Sequence, residues 1–198
     1  MIIIRDLNKQ KPYLIFKNYF DLAKSKKQKN IEVISISSFN KNKEEVESRY
    51  VNLKYILDDE WIFFSNYNSN KAINFQKHNQ ISVLFYWDSI NLQIRIKANI
   101  KKSNKLISDE HFKNRLDKKN ALAISSNQSA KIDSYEEVLL KYESIFKNNS
   151  LKDRPDYWGG FSFKPYYFEF WEGNHNRINK RRVYELNEKE WISYFLEP

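Results

Sequence analysis

No cysteine occurs among the 198 residues. Disulfide frameworks, thiolate metal sites and cysteine nucleophiles are therefore excluded, and a reducing cytoplasm is the expected compartment. Glycine numbers only 3 and proline 4, so long flexible linkers are not expected. No GxGxxG or GxxxxGKS/T loop is present, so any bound phosphate must rest on cationic side chains and backbone amides. There is no HExxH pattern and no GxSxG elbow, which removes metal hydrolysis and acyl transfer. His78, His111 and His175 lack metal-site spacing, and each reads as a surface or satisfied histidine. No apolar run approaches the ~18 residues of a membrane helix. The opening MIIIRDLNKQKPY holds too short an apolar run for a signal peptide.

What is present suits one domain over residues 1–198, with residues 1–30 as an N-terminal helical segment. Hydrophobic residues make up 41% and aromatics 16%, enough for a substantial core. The formal charge of +9 is compatible with nucleic acid, an anionic membrane surface or small phosphorylated ligands. The cations are dispersed, apart from Lys24 to Lys29 and Lys180 to Arg182, and no nucleic-acid motif accompanies them. Neither nucleic acid nor membrane is therefore an expected partner.

Pro12 is placed to begin a helix running to about Lys24, with Leu14, Ile15, Tyr19, Phe20 and Leu22 as its buried stripe. Ile31 to Phe39 is β-branched and reads as a strand, followed by a polar loop from Asn40 to Glu47. Arg49 to Leu57 and Glu60 to Tyr67 form a hairpin across Asp58–Asp59. Ser69 caps a helix through about His78. Ile81 to Trp87 and Leu92 to Ile100 are strands. Ser108 opens a helix to Arg115, and Asp117 opens another to about Ser125. Ser134 with Glu137 forms a capping box for a helix through Lys147. Strands follow at Phe161–Trp171, Arg182–Leu186 and Trp191–Leu196. Antiparallel strands with helices in the gaps predict an α+β barrel or sandwich, not an alternating βαβ fold.

Candidate functional residues are cations, amides and aromatics on these strands. Arg49 and Lys54 share one strand, and Arg95 and Lys97 alternate with Ile94 and Ile96. Lys71 stands near a helix start, where free backbone N–H groups favour an anion. Gln128–Ser129 can donate to a phosphate or ring, and Trp158–Gly159–Gly160 sets a bulky plane beside a flexible turn. Taken singly, each also fits an ordinary solvated or structural position.

Their order along the chain is more specific. RYVNLK (Arg49–Lys54), FFSNYNSNK (Phe63–Lys71), LFYW (Leu84–Trp87) and LQIRI (Leu92–Ile96) appear in sequence. HFKNR (His111–Arg115), SSNQSAKI (Ser125–Ile132), RPDYWGGF (Arg154–Phe161) and EFWEGNHNRINKRRVYE (Glu169–Glu185) follow, before a terminal W…FLEP. This ordered set, from about Ile31 to Pro198, resembles the pyridoxamine 5'-phosphate oxidase family.

The resemblance implies a homodimeric split β-barrel with peripheral helices and FMN bound at the subunit interface. Arg49 and Lys71 would hold the FMN phosphate, with Phe64, Ser65 and Asn70 beside it. Tyr50, Val51, Asn52, Leu53 and Lys54 would line the flavin through backbone and side chain. Gln93 would face its ring, Gln128 and Ser129 would reach the same FMN, and Trp158 and Arg181 would flank the ring. Lys54, His111, Arg115 and Lys119 would grip a substrate phosphate. Arg177 and Asn179 would lie over its pyridine ring as the catalytic pair. No metal is implied. The implied reaction oxidises pyridoxamine or pyridoxine 5'-phosphate to pyridoxal 5'-phosphate, with O2 as acceptor and H2O2 as product. The chain departs from the family pattern at His111 (usually Tyr), Lys119 (usually Ser), Asn179 (usually His) and Asn70 (usually Arg). Those departures keep two alternatives open: an FMN oxidase of another substrate, as in the phenazine-biosynthesis branch, or a non-catalytic protein binding flavin or pyridoxal phosphate.

Overall fold

The computed structural model describes residues 1–148 and 150–198. Among the described residues, nine strands and five α-helices follow in the order β1 (Ile3–Arg5), α1 (Lys11–Ser25), β2 (Val33–Asn40), β3 (Glu45–Leu57), β4 (Glu60–Asn66), α2 (Asn70–Lys77), β5 (Gln80–Trp87), β6 (Leu92–Lys102), α3 (Lys105–Lys113), α4 (Asp117–Ser125), α5 (Tyr135–Asn148), β7 (Trp158–Glu172), β8 (Lys180–Asn187) and β9 (Glu190–Leu196). The class is α+β, as the strand and helix patterns predict. The pairing runs β1-β3-β2-β5-β6-β7-β8-β9, and β4 pairs with both β3 and β7. Six strands therefore form a closed hydrogen-bonded circuit, β3-β2-β5-β6-β7-β4.

Closure creates an interior that the alternating residues fill. On β5, Ile81, Val83, Phe85 and Trp87 are buried while the residues between them are exposed; on β6, Leu92, Ile94, Ile96, Ala98 and Ile100 are buried, with a half-buried Gln93 and exposed residues between them. Helix α1 plugs this interior with Phe16, whose ring lies 4.5 Å from Trp61, 5.5 Å from Phe85 and 5.7 Å from Trp87. Burying one such ring contributes roughly 1.5–3 kcal/mol.

Several boundaries differ from the sequence reading. The buried stripe of α1 is Tyr13, Phe16, Phe20 and Ala23, whereas Leu14 and Leu22 are exposed. The rings of Tyr13, Phe16 and Phe20 set the helix rotation because they pack into the core cluster. The loop expected at Asn40 to Glu47 shrinks to a tight turn: Asn40 Oδ1 accepts from the amides of Asn42 at 3.1 Å and Lys43 at 3.2 Å, and β3 begins at Glu45. Helix α3 starts earlier than Ser108, because Asn104 caps it by accepting from the Leu106 amide at 2.8 Å. Ser108 is instead buried, with its hydroxyl accepting from the Gly160 amide at 3.0 Å. Ser69 sits at the N-cap position of α2, but its hydroxyl donates backward to Asn66 O. Ser134 does accept from the Glu137 amide, at 3.2 Å.

Trp158–Gly159–Gly160 is not a turn. These residues are strand β7, paired with Asn66, Ser65 and Phe64. The glycines serve close packing: a Cβ on Gly159 would lie 2.1 Å from the Tyr67 hydroxyl, and one on Gly160 would lie 2.2 Å from Ser103 Oγ. Strand β1 was not anticipated; it is three residues long and pairs in parallel with Tyr55–Leu57.

Candidate active site

One strand is left incomplete by this topology. Strand β3 pairs with β2 from Glu45 to Asn52, but β4 joins its other edge only from Leu53 onward. The backbone of residues 45–52 thus has a free edge on the β4 side. A bulge lies between Leu53 and Tyr55, where Lys54 has no partner across the ladder. Beside this edge opens a cavity of about 970 Å³, walled by β3, β4, the first turn of α2, α3, α4 and the segment around Gln128. Its volume suits a ligand of cofactor size.

One part of the cavity is built for negative charge. Lys71 is buried at the start of α2, and its Nζ donates to Ser69 Oγ at 3.0 Å and Gln128 Oε1 at 3.3 Å. Burial, and then the nearby Arg49 charge, push the Lys71 ammonium down to about 8. Gln128 Oε1 also accepts from Ser65 Oγ at 3.0 Å and the Asn66 amide at 3.4 Å. Three donors from separate groups therefore converge on one oxygen. Arg49 is held from behind: Nη1 donates to Ser38 Oγ at 2.7 Å and Nη2 to Glu47 Oε2 at 2.8 Å. Burial lowers the Arg49 guanidinium and Glu47 opposes that shift. Glu47 escaped the sequence reading, although its spacing of two from Arg49 on a strand puts both on one face.

A second group of cations surrounds His111. The imidazole stacks on Phe64 with centroids 3.8 Å apart and planes 5° apart, and Phe64 stacks on Trp158 at 5.4 Å. The Arg115 guanidinium lies 4.5 Å over the Trp158 ring. Arg154 fixes that tryptophan from the other side, donating to its carbonyl while binding Asp109 at 2.6 Å. Burial and then the charges of Arg115, Lys54 and Lys119 push His111 down to about 4. Burial alone pushes Arg115 down to about 10, and its Nη1 is buried without a hydrogen-bond partner among the described residues. Lys54 is lowered chiefly by burial, with Glu32 opposing and Lys119 and Arg115 adding to it. A buried, unpaired guanidinium nitrogen among like charges is a site that an anion would satisfy.

Of the residues singled out from the sequence, the cavity brings together Arg49, Tyr50, Val51, Asn52, Lys54, Phe64, Ser65, Asn70, Lys71, His111, Arg115, Lys119, Gln128, Ser129 and Trp158. Leu53 is turned into the core and fully buried. Gln93, Arg177, Asn179 and Arg181 do not line this cavity. Gln93 and Arg181 instead flank Trp171 in one row across β6, β7 and β8, which Tyr86 extends onto β5. Trp171 was missed because nothing in its spacing separates it from the core aromatics around it. Arg177 and Asn179 lie in the β7–β8 connection. Arg177 has φ of 59° and its amide donates to Asn174 O, while Asn179 Oδ1 accepts from the Asn174 amide at 3.0 Å. Among the described residues no group of three or more His, Cys, Asp or Glu could hold a metal ion. No helix among them is long and apolar enough to cross a membrane.

Comparison with known proteins agrees with this architecture. The curated pyridoxine/pyridoxamine 5'-phosphate oxidase of Leptospira biflexa is 32% identical over 189 residues, covering 94% of this chain and 89% of its own length. Among solved structures, PhzG from Burkholderia lata, in complex with tetrahydrophenazine-1-carboxylic acid, superposes with a TM-score of 0.90 at 21% identity, covering 95% of this chain and 93% of its own. A pyridoxamine 5'-phosphate oxidase-related, FMN binding protein from Nostoc punctiforme superposes at 0.78 with 14% identity, covering 96% of this chain and 99% of its own. At those identities the two structures establish the fold. The sequence model described as pyridoxine 5'-phosphate oxidase C-terminal dimerisation region matches residues 158–198. The one described as pyridoxamine 5'-phosphate oxidase matches residues 24–149, more than half the chain. The chain belongs to the pyridoxamine 5'-phosphate oxidase family.

Proposed function

We propose that this protein is an FMN-dependent oxidase that converts pyridoxamine or pyridoxine 5'-phosphate to pyridoxal 5'-phosphate. The observation that carries the reading is the presence of two cationic groups in one aromatic-lined cavity: Arg49 with Lys71, and Lys54 with Arg115 and Lys119 around His111. A phosphorylated cofactor and a phosphorylated substrate together need two such groups. Lys71, Ser65 and the Asn66 amide already converge on an oxygen, that of Gln128, and the same donors suit a phosphate. The FMN phosphate is therefore assigned to Arg49, Lys71 and Ser65, with Gln128 and Ser129 reaching the same cofactor. The free edge of β3 offers the isoalloxazine ring the backbone from Tyr50 to Asn52. When bound, FMN supplies the two-electron redox chemistry.

The protein's own residues bind, orient and exclude water. Lys54, Arg115, Lys119 and His111 hold the substrate phosphate through charge-assisted bonds. Phe64 and Trp158 add apolar surface to the cavity that holds both anion-binding groups, which limits the water around them. Over the whole reaction the substrate amine gives two electrons and two protons to O2. The products are H2O2 and, after water replaces nitrogen, the aldehyde and ammonia.

A second copy of the chain completes the site in this reading. Tyr86, Gln93, Trp171 and Arg181 form a row outside their own cavity, and Tyr50, Tyr86 and Leu84 are exposed on the sheet. In a homodimeric split barrel that face meets the partner's cavity and delivers Gln93, Arg181, Arg177 and Asn179. The match of residues 158–198 to a dimerisation region supports this.

Purified protein mixed with FMN and pyridoxamine 5'-phosphate in air tests the proposal by the appearance of pyridoxal phosphate and peroxide. Turnover is expected. Bound flavin without turnover moves the assignment to an FMN oxidase of another substrate, a reading favoured by His111, Lys119 and Asn179. Tight binding of flavin or pyridoxal phosphate with no turnover of any amine or alcohol moves it to a carrier. Failure to bind FMN overturns the cofactor assignment.

A further inference from the structure

Tyr55 follows the bulge residue Lys54 on β3 and pairs with Ile62, and no motif drew attention to it. Its hydroxyl lies 2.8 Å from Nδ1 of His111, and the two rings meet edge to face at 5.4 Å. Phe64 covers the flat side of the imidazole at 3.8 Å and also meets Tyr55 edge-on at 6.0 Å. The imidazole is thus fixed in plane by Phe64 and in rotation by Tyr55. Its other nitrogen, Nε2, has no hydrogen-bond partner among the described residues, and His111 lines the cavity together with Lys54, Arg115 and Lys119.

We propose that Tyr55 is a positioning residue that donates its hydroxyl proton to His111 Nδ1, holds the imidazole as the Nε2–H tautomer, and so aims a neutral N–H donor at an oxygen of the substrate phosphate. This rests on the assignment of the Lys54–Arg115–Lys119 group to that phosphate. Two further facts fit. Burial raises the Tyr55 phenol, with Glu110 adding to this and Arg5 opposing, so the hydroxyl keeps its proton. The cations facing His111, which are Lys54 on β3, Arg115 in the α3–α4 connection and Lys119 on α4, disfavour imidazolium, so the ring must choose between two neutral tautomers. The Tyr55 hydroxyl has no other acceptor among the described residues, and donation to Nδ1 satisfies it.

The test uses holoprotein labelled with 15N-histidine, compared with the Tyr55→Phe variant, at neutral pH. In the parent protein the His111 Nε2 signal is expected in the protonated range and Nδ1 in the unprotonated range. Added inorganic phosphate or pyridoxal 5'-phosphate shifts the Nε2 signal. In Tyr55→Phe the ring becomes a mixture of tautomers, flavin content and melting temperature stay near the parent, and KM for pyridoxamine 5'-phosphate rises about fivefold with little change in kcat. Tyr55→His, which restores a donor, brings the tautomer back. An unchanged tautomer in Tyr55→Phe overturns the positioning role, whether or not phosphate binds. A tautomer that follows Tyr55 but ignores both phosphate probes overturns the assignment of this group to an anion, and the proposed role with it.

Discussion

Arg181 grips the carboxylate of Glu169 through two nitrogens, Nε at 2.9 Å and Nη2 at 2.8 Å. The other carboxylate oxygen takes Arg95 Nη1 at 2.8 Å and the Tyr167 hydroxyl at 3.1 Å. Glu169 is only 1% exposed, so its charge is stable there because two guanidinium groups and a phenol surround it. The same network holds Arg181 beside Trp171, in the row proposed to meet a partner subunit. Glu169→Gln removes the charge and keeps the volume. It is expected to lower stability by about 1–3 kcal/mol, less than in a fully buried triad because both arginines reach solvent. Urea unfolding of the apoprotein measures this, and an unchanged midpoint would show that the network contributes nothing net.

Lys71 predicts opposite pH trends for flavin and fold. Its ammonium is pushed to about 8 in the folded protein from an ordinary 10.5. The unfolded chain therefore binds more protons between those values, and the Lys71 contribution makes the apoprotein more stable as pH rises through that window. In the proposed FMN site the phosphate pairs with the charged form of Lys71, so affinity is expected to fall as pH rises above about 8. Fluorescence titration of FMN against pH gives one trend and apoprotein melting the other. In Lys71→Met both trends should flatten.

His111 sets an acid limit. It is pushed down to about 4 from 6.5, so unfolding takes up a proton between those values and stability is lost as pH falls through them. His111→Phe keeps the stack on Phe64 but removes the titrating group. Melting temperatures measured across that range should decline less steeply in the variant. Equal slopes would mean that His111 titrates freely.

Gly159→Ala tests whether the two strand glycines serve packing rather than turning. The added methyl would meet the Tyr67 hydroxyl at 2.1 Å and its ring carbon Cζ at 2.7 Å. That hydroxyl donates to Gly160 O at 3.2 Å, so moving the ring also costs a hydrogen bond. A loss of about 1–3 kcal/mol is expected. Measured against Tyr67→Phe alone, a smaller loss in the Tyr67→Phe, Gly159→Ala double variant would locate the clash at the hydroxyl, and an equal loss would locate it at the ring carbon.

Local pattern was enough for the strands that close the barrel. Alternation on β5 and β6 and the β-branched run in β2 survive because a sheet with one buried face enforces period two wherever it occurs. Through the family resemblance the ordered motifs pointed to Arg49 with Lys71 and to Lys54 with His111 and Arg115; the structure gathers both groups around one cavity, but not Arg177 and Asn179. Other features had no local signal. The rotation of α1 depends on which rings fit a barrel made by distant strands. The strand identity of Trp158–Gly159–Gly160 depends on β4 offering an edge, and on Tyr67 at Gly159 and Ser103 at Gly160 filling the space of the missing side chains. Strand β1 is too short to have a period, and it exists because the edge of β3 beyond β2 is free to receive it.

The charge of the site shows the same division. Composition determined that the chain is rich in cations and aromatics and has no glycine loop for a phosphate, because residue type alone carries charge and donor capacity. Only the tertiary structure decided which of those charges are neutralised. Glu47 holds Arg49, Glu169 holds Arg181, and Arg115 Nη1 is left without a partner among the described residues. These pairings join residues on different strands or across a strand's alternating face. Coulomb energy and desolvation depend on distance and burial, which are properties of the folded chain rather than of the order of its residues.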